Sequence, residues 1–215
     1  MTSNKVTQTI SNKRTKRTLL LVLAVFALPA VVATLMYVTG WRPSSTGNHG
    51  ELIQPARFIE DRTMQSLDGK PVKFSELQGK WTMVFFDSAA CPEECIKQLY
   101  FMRQIHISQG KDQDRVQRVF ILTDTIAANT LAAKLADYPD MRVWTGEKAV
   151  LTKLAHDFGI DAPAVPEQRN IYLLDPQGNL MMRYVPGTDP AGMRKDLVRL
   201  LKYSSENSNV KAGNE

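Results

Sequence analysis

Cysteine is nearly absent from this 215-residue chain, which holds only Cys91 and Cys95. Any thiol chemistry therefore has one place to reside. A chain long enough for a full hydrophobic core has little need of a purely structural staple. There is no internal repeat and no glycine-rich phosphate loop, so nothing points to a nucleotide site. The first seventeen residues contain no acid, residues 19–38 contain no charge, and no cysteine follows that run closely. The last absence excludes lipid attachment there. Beyond the first seventeen residues there is no net charge either, with 22 basic residues against 22 acidic ones. The overall +5 is thus a property of one tail and gives no support for nucleic-acid binding.

What is present begins with LLLVLAVFALPAVVATLMYV, residues 19–38. Twenty helical residues span about 30 Å, the thickness of a bilayer's hydrocarbon core. Lys5, Lys13, Arg14, Lys16 and Arg17 precede it and only Arg42 follows closely. The positive-inside bias keeps such an N-terminus cytoplasmic and exports the rest of the chain. A signal peptide cleaved near Val31-Val32-Ala33 is the rival reading, but the apolar run continues past that point. The expected organisation is a basic cytoplasmic tail (1–18), a transmembrane anchor (19–38) and a tether rich in Gly, Pro, Ser and Thr (39–56). A folded domain (57–203) and a disordered tail (204–215) complete it.

Within the domain, SLDGKPVKFSEL at 66–77 reads as a hairpin turning at Asp68-Gly69. WTMVFFD (81–87) and VQRVFILT (116–123) are short apolar runs that predict buried strands. Between them the spacing predicts a helix over 92–109, with Pro92 in its first turn and Ile96, Leu99, Met102 and Ile105 on one face. Helices near 128–138 and 146–158 flank the strand MRVW at 141–144. NIYLLD (170–175) and LMMRYV (180–185) form a second hairpin, and an amphipathic helix over 189–204 closes the domain. This alternation predicts an α/β fold, a thioredoxin-like mixed sheet flanked by helices. The cysteines then lie where a central strand ends and a helix begins, the usual place for chemistry in open α/β sheets.

Three readings of the pair stand open. In thiol–disulfide exchange, Cys91 at the helix cap is the attacking thiolate and Cys95, one turn in, is the buried resolving thiol. A bond between them requires the first turn to bend or Cys91 to lie just outside it, the second being natural with Pro92 next, since residues four apart on a helix are too distant for one. In the second reading two thiolates hold Cu(I), with no histidine convincingly placed as a third ligand. His49 falls in the tether, His106 far along the cysteine helix and His156 at the end of another. Met83 and Met102 read as core. The third is a scaffold with an idle bridge. Peroxidase chemistry fits poorly, because residue 84 is valine where an upstream proline is expected. Asp87 and Asp124 end predicted strands near the cysteines and are candidate proton acceptors or hydrogen-bond partners, or simply caps. Arg169, just before NIYLLD, is a candidate source of positive charge for Cys91.

The DG hairpin, GKW before an apolar strand, CxxxC, and YLLDPQGN at 172–179 ahead of a final helix together resemble the SCO/SenC proteins. These are membrane-anchored thioredoxin-fold factors for the copper centre of cytochrome c oxidase. The resemblance covers about residues 50–203. It implies copper chemistry at Cys91 and Cys95, a bacterial inner-membrane location with a periplasmic domain, and an oxidase subunit or its copper chaperones as partner. Two positions depart from the family pattern. Ile96 follows the second cysteine where proline is usual, and the family's metal-binding histidine falls on Glu167, near Gln168 and Asn170. The two thiols carry over; the third ligand does not.

Overall fold

The computed structural model describes residues 3–39, 47–161 and 168–212. Two compact units divide at Thr46/Gly47.

The first unit is a single helix, α1 (Ser3–Thr39). Its segment Lys16–Thr39 is long and apolar enough to cross a membrane, and none of it is buried against protein. Thr34 and Thr39 return their hydroxyls to the carbonyls of Ala30 and Leu35, each at 2.8 Å. Both polar side chains are thus satisfied inside the helix, as a lipid environment demands.

The second unit is one eight-stranded sheet with helices against it. Its strands are β1 (Glu51–Phe58), β2 (Thr63–Ser66), β3 (Pro71–Lys73), β4 (Trp81–Asp87), β5 (Val116–Leu122), β6 (Met141–Thr145), β7 (Ile171–Leu174) and β8 (Asn179–Tyr184). The helices are α2 (Glu93–Ile107), α3 (Ala128–Lys134), α4 (Lys148–Asp157) and α5 (Pro190–Ala212). The order across the sheet is β1-β8-β7-β4-β5-β6-β2-β3. Strands β4, β5 and β6 run parallel, and β7 pairs antiparallel with β4, so the sheet is mixed. Every residue of β4 and of β5 is buried. Alternation along β4 explains this: Trp81, Met83 and Phe85 enter one core with α2, whereas Val84 and Phe86 enter the other with α4. Both predicted hairpins form, at β2–β3 and β7–β8.

Two boundaries differ from expectation. The tether was expected to run to residue 56, but β1 starts at Glu51 and pairs with β8 along one edge of the sheet. Pro55 and a run of exposed side chains hide this strand, and only an edge strand tolerates both. The pairing register slips between Leu52 and Arg57, around that proline. Residues 40–46 of the expected tether lie outside the described residues. At the other end, α5 continues to Ala212 where disorder is expected from 204, since no proline or glycine occurs from Met193 to Ala212.

Ahead of β1, the chain is bound to α5 through Asp196, whose side chain is 1% exposed. Asp196 accepts hydrogen bonds from the backbone N–H groups of His49 (2.8 Å) and Gly50 (3.0 Å) and from the Tyr184 hydroxyl (3.3 Å). The His49 ring adds a contact through Nδ1 at 3.2 Å. Burial, and then the Asp196 charge, push the Tyr184 phenol up, so it stays protonated and donates. Gly50 is required here, because a Cβ would lie 2.5 Å from the Tyr184 ring.

His106 is 6% exposed on the inner face of α2, with Nε2 3.1 Å from the Val116 carbonyl. Burial, and secondly the neighbouring Arg118 guanidinium, hold its pKa below the ordinary value. A lowered value means the unfolded chain binds the proton more readily. The stability contributed by neutral His106 is therefore complete above about pH 6.5 and declines as pH falls toward the folded-state value. The urea midpoint of residues 47–215 should drop between pH 7.5 and 5.5, and His106→Gln should flatten that drop.

Candidate functional site

Strand β4 delivers the chain to the carboxyl end of the sheet at Asp87, where a tight turn leads into α2. Asp87 is fully buried. One carboxylate oxygen accepts the Ser88 N–H at 2.7 Å, and the other accepts Nε of Arg169 at 2.9 Å. The turn closes with the Cys91 N–H donating to the Ser88 carbonyl at 3.2 Å. Pro92 takes the cap position itself, one residue earlier than its predicted place, and α2 starts at Glu93. Cys91 is thus outside the helix and Cys95 within its first turn.

That placement permits the bond. Cys91 and Cys95 form a disulfide with Cα atoms 5.1 Å apart, inside the usual range. Cys91 adopts a left-handed backbone, φ +36°, and Arg169 does the same at φ +38°. These are the only two non-glycine residues with positive φ among the described residues. Each costs about 1–3 kcal/mol, a burden that recurs at functional positions.

Both cysteines are completely buried in this state. Sequence reasoning makes Cys95 the buried resolving thiol and Cys91 the attacking one at the helix cap. The left-handed turn rotates Cys91 inward, into the core that also contains Ala89, Leu99 and Leu131. Its chain neighbours Ala90 and Pro92 remain exposed. No side chain caps α2, so the N–H groups of its first turn remain available to stabilise a thiolate. Exposed Glu93 and Glu94 oppose that effect by like charge.

The structure brings some predicted site residues together and separates others. Arg169 reaches the site, but Asp87 engages its guanidinium. Asp124 caps its own loop, accepting the Ile126 N–H at 3.1 Å. His49 is held by Asp196, His106 packs against β5, and His156 is exposed on the last turn of α4. Met83 and Met102 are core. Among the described residues, no group of three His, Cys, Asp or Glu is placed to hold a metal. Glu167 lies outside them. Sequence reasoning missed Lys134, the last residue of α3. Its ammonium donates to the carbonyls of Ala90 (2.8 Å) and Cys91 (2.9 Å). Nothing in the sequence distinguishes it from other exposed lysines.

Comparison with solved structures returns the same fold in Sco proteins. Copper-bound ScoI of Bradyrhizobium japonicum aligns with a TM-score of 0.56 at 25% identity, covering 66% of this chain and 98% of that one. Copper-bound yeast Sco1 gives a TM-score of 0.59 at 19% identity, covering 68% and 93%. The thioredoxin domain of a Bacteroides vulgatus thiol–disulfide oxidoreductase gives 0.52 at 19%, covering 66% and 95%. No curated protein sequence matches. A family model described as the transmembrane-like, thioredoxin-like C-terminal domain matches residues 81–204, from the start of β4 into α5. That match spans the disulfide and more than half of the chain, and the chain belongs to this family of transmembrane-like, thioredoxin-like C-terminal domains.

Proposed function

We propose that this protein is a membrane-tethered thiol–disulfide reductant serving the assembly of a copper centre in cytochrome c oxidase. One observation carries the reading: the only cysteines form a reversible type of bond at the carboxyl end of a central strand, on a Sco-like thioredoxin fold. The segment 19–38 anchors the chain in a bacterial inner membrane, with the folded unit in the periplasm. This orientation follows from the five basic residues before the span.

The reaction balances within the two proteins. In the reduced form the Cys91 thiolate attacks a disulfide on the partner, an oxidase subunit or one of its copper chaperones. The partner's S–S bond breaks, a Cys91–partner bond forms, and the departing sulfur takes a proton. The Cys95 thiolate then attacks the Cys91 sulfur, closing the Cys91–Cys95 bond and releasing the partner's second thiol. Two electrons pass to the partner, whose free thiolates can now bind metal. An external dithiol restores the reduced state.

Copper carriage is the second reading, favoured by the copper-bound Sco structures that share the fold. Reduced Cys91 and Cys95 would offer Cu(I), as cargo, two soft ligands. The described histidines are each engaged or distant, which weighs toward exchange. Cu(I) titration against a competing chelator and a glutathione redox titration of residues 47–215 separate the readings. Exchange predicts weak copper binding and a reversible potential below about −200 mV, lower than an oxidising periplasm. A tight 1:1 copper complex lost on either single cysteine substitution would establish carriage instead. Absence of both would leave a scaffold.

A further inference from the structure

The cation beside the cysteines comes from α3. We infer that Lys134 is a positioning residue whose positive charge stabilises the Cys91 thiolate when the disulfide opens. The inference deepens the exchange reading and rests on it for its consequence, though its test measures the thiol directly.

Three observations support it. First, the ammonium of Lys134 is bonded to the carbonyl of Cys91 itself, and to that of Ala90. A cation held there is bonded to the backbone of the attacking cysteine itself. Secondly, these bonds hold the two carbonyls on either side of the left-handed Cys91 backbone. A conformation of that kind persists only where its surroundings over-determine it. Thirdly, Arg169, another cation at this end of the sheet, is engaged by the buried Asp87 carboxylate.

The remaining charges around the turn set the sign. From α2, Glu93 and Glu94 disfavour a thiolate, while the free N–H groups of the same turn favour it. From β4 and the lead-in to β7, Asp87 and Arg169 pair with one another. Beyond β5, Asp124 is turned to its own loop. Lys134 is the cation bonded to the Cys91 carbonyl, and its charge is opposite in sign to that of the two glutamates. Its exposed position suits this role, because a partner docking over Ala90 and Pro92 would desolvate it and strengthen its effect.

The test uses the full chain in detergent, carrying Cys95→Ala so that Cys91 titrates alone, with thiolate absorbance near 240 nm as the readout. Lys134→Met should raise the Cys91 pKa by about one unit, a tenfold loss of thiolate at fixed pH. Lys134→Arg should leave it unchanged. Lys134→Gln keeps donors for the two carbonyls but removes the charge, and it should behave as the methionine variant does. If Lys134→Gln or Lys134→Met titrates as the parent does, Lys134 is only a clamp on the turn and the inference is wrong. A shifted pKa in a protein that exchanges with no disulfide would instead retain the inference and remove the reductase reading.

Discussion

With an oxidised partner, the Cys95→Ala chain is expected to accumulate a stoichiometric mixed disulfide through Cys91, and the Cys91→Ala chain to accumulate none. Both lose turnover entirely. The asymmetry follows from where each sulfur is attached. Cys91 precedes α2 on a short turn between exposed Ala90 and Pro92, so a local opening can present it. Cys95 lies within the helix, in the core with Leu99 and Met102. Exposing it would require α2 to leave the sheet. Complete burial of both sulfurs sharpens the prediction, because the oxidised protein should resist small reductants until the turn opens. Gel shift under non-reducing conditions, with the linked cysteine identified by peptide mass, reads the result. Equal trapping by the two variants would remove the assignment of attacking and resolving roles.

The second large effect lies away from the cysteines. Asp196→Ala should cost about 3–5 kcal/mol, because it strips a buried acceptor from several donors at once. The His49 and Gly50 N–H groups and the Tyr184 hydroxyl all converge on that carboxylate. With domain stabilities of about 5–15 kcal/mol, this is a large share of the total. Asp196→Asn keeps one carbonyl acceptor and should cost about 1–2 kcal/mol. Urea denaturation of residues 47–215 gives both values. Limited proteolysis should show earlier cutting before β1 in the alanine variant, since the same carboxylate holds the chain there. A loss under about 0.5 kcal/mol, the range of ordinary surface changes, would mean that residues 47–50 are not docked as described.

These two regions were unequally legible from sequence. β4 and β5 are short and mostly apolar, and the CxxxC turn closely follows β4, so fold class and the cysteine pair were both within reach. Pro92 even signals that Cys91 leaves the helix, the condition for the bond. β1 was hidden because edge strands need no alternating pattern, and its proline reads as linker. His49 looked like tether for the same reason. Lys134 could not be found, because what singles it out is the pair of carbonyls it meets, and those lie over 40 residues earlier in the chain. The partner of Arg169 is Asp87, whose burial depends on the whole sheet assembling, so that pairing is not readable from either residue's local sequence.

The central claim is electron transfer from the Cys91–Cys95 dithiol to a partner's cysteines, and it has a direct measurement. The reduced chain in detergent is mixed anaerobically with the oxidised copper-site domain of an oxidase subunit, and thiols are counted on each protein by alkylation and mass. The account predicts that two thiols appear on the oxidase domain for every Cys91–Cys95 disulfide formed, and that the domain then takes up copper. An oxidase domain that remains oxidised beside a fully reduced chain would contradict it.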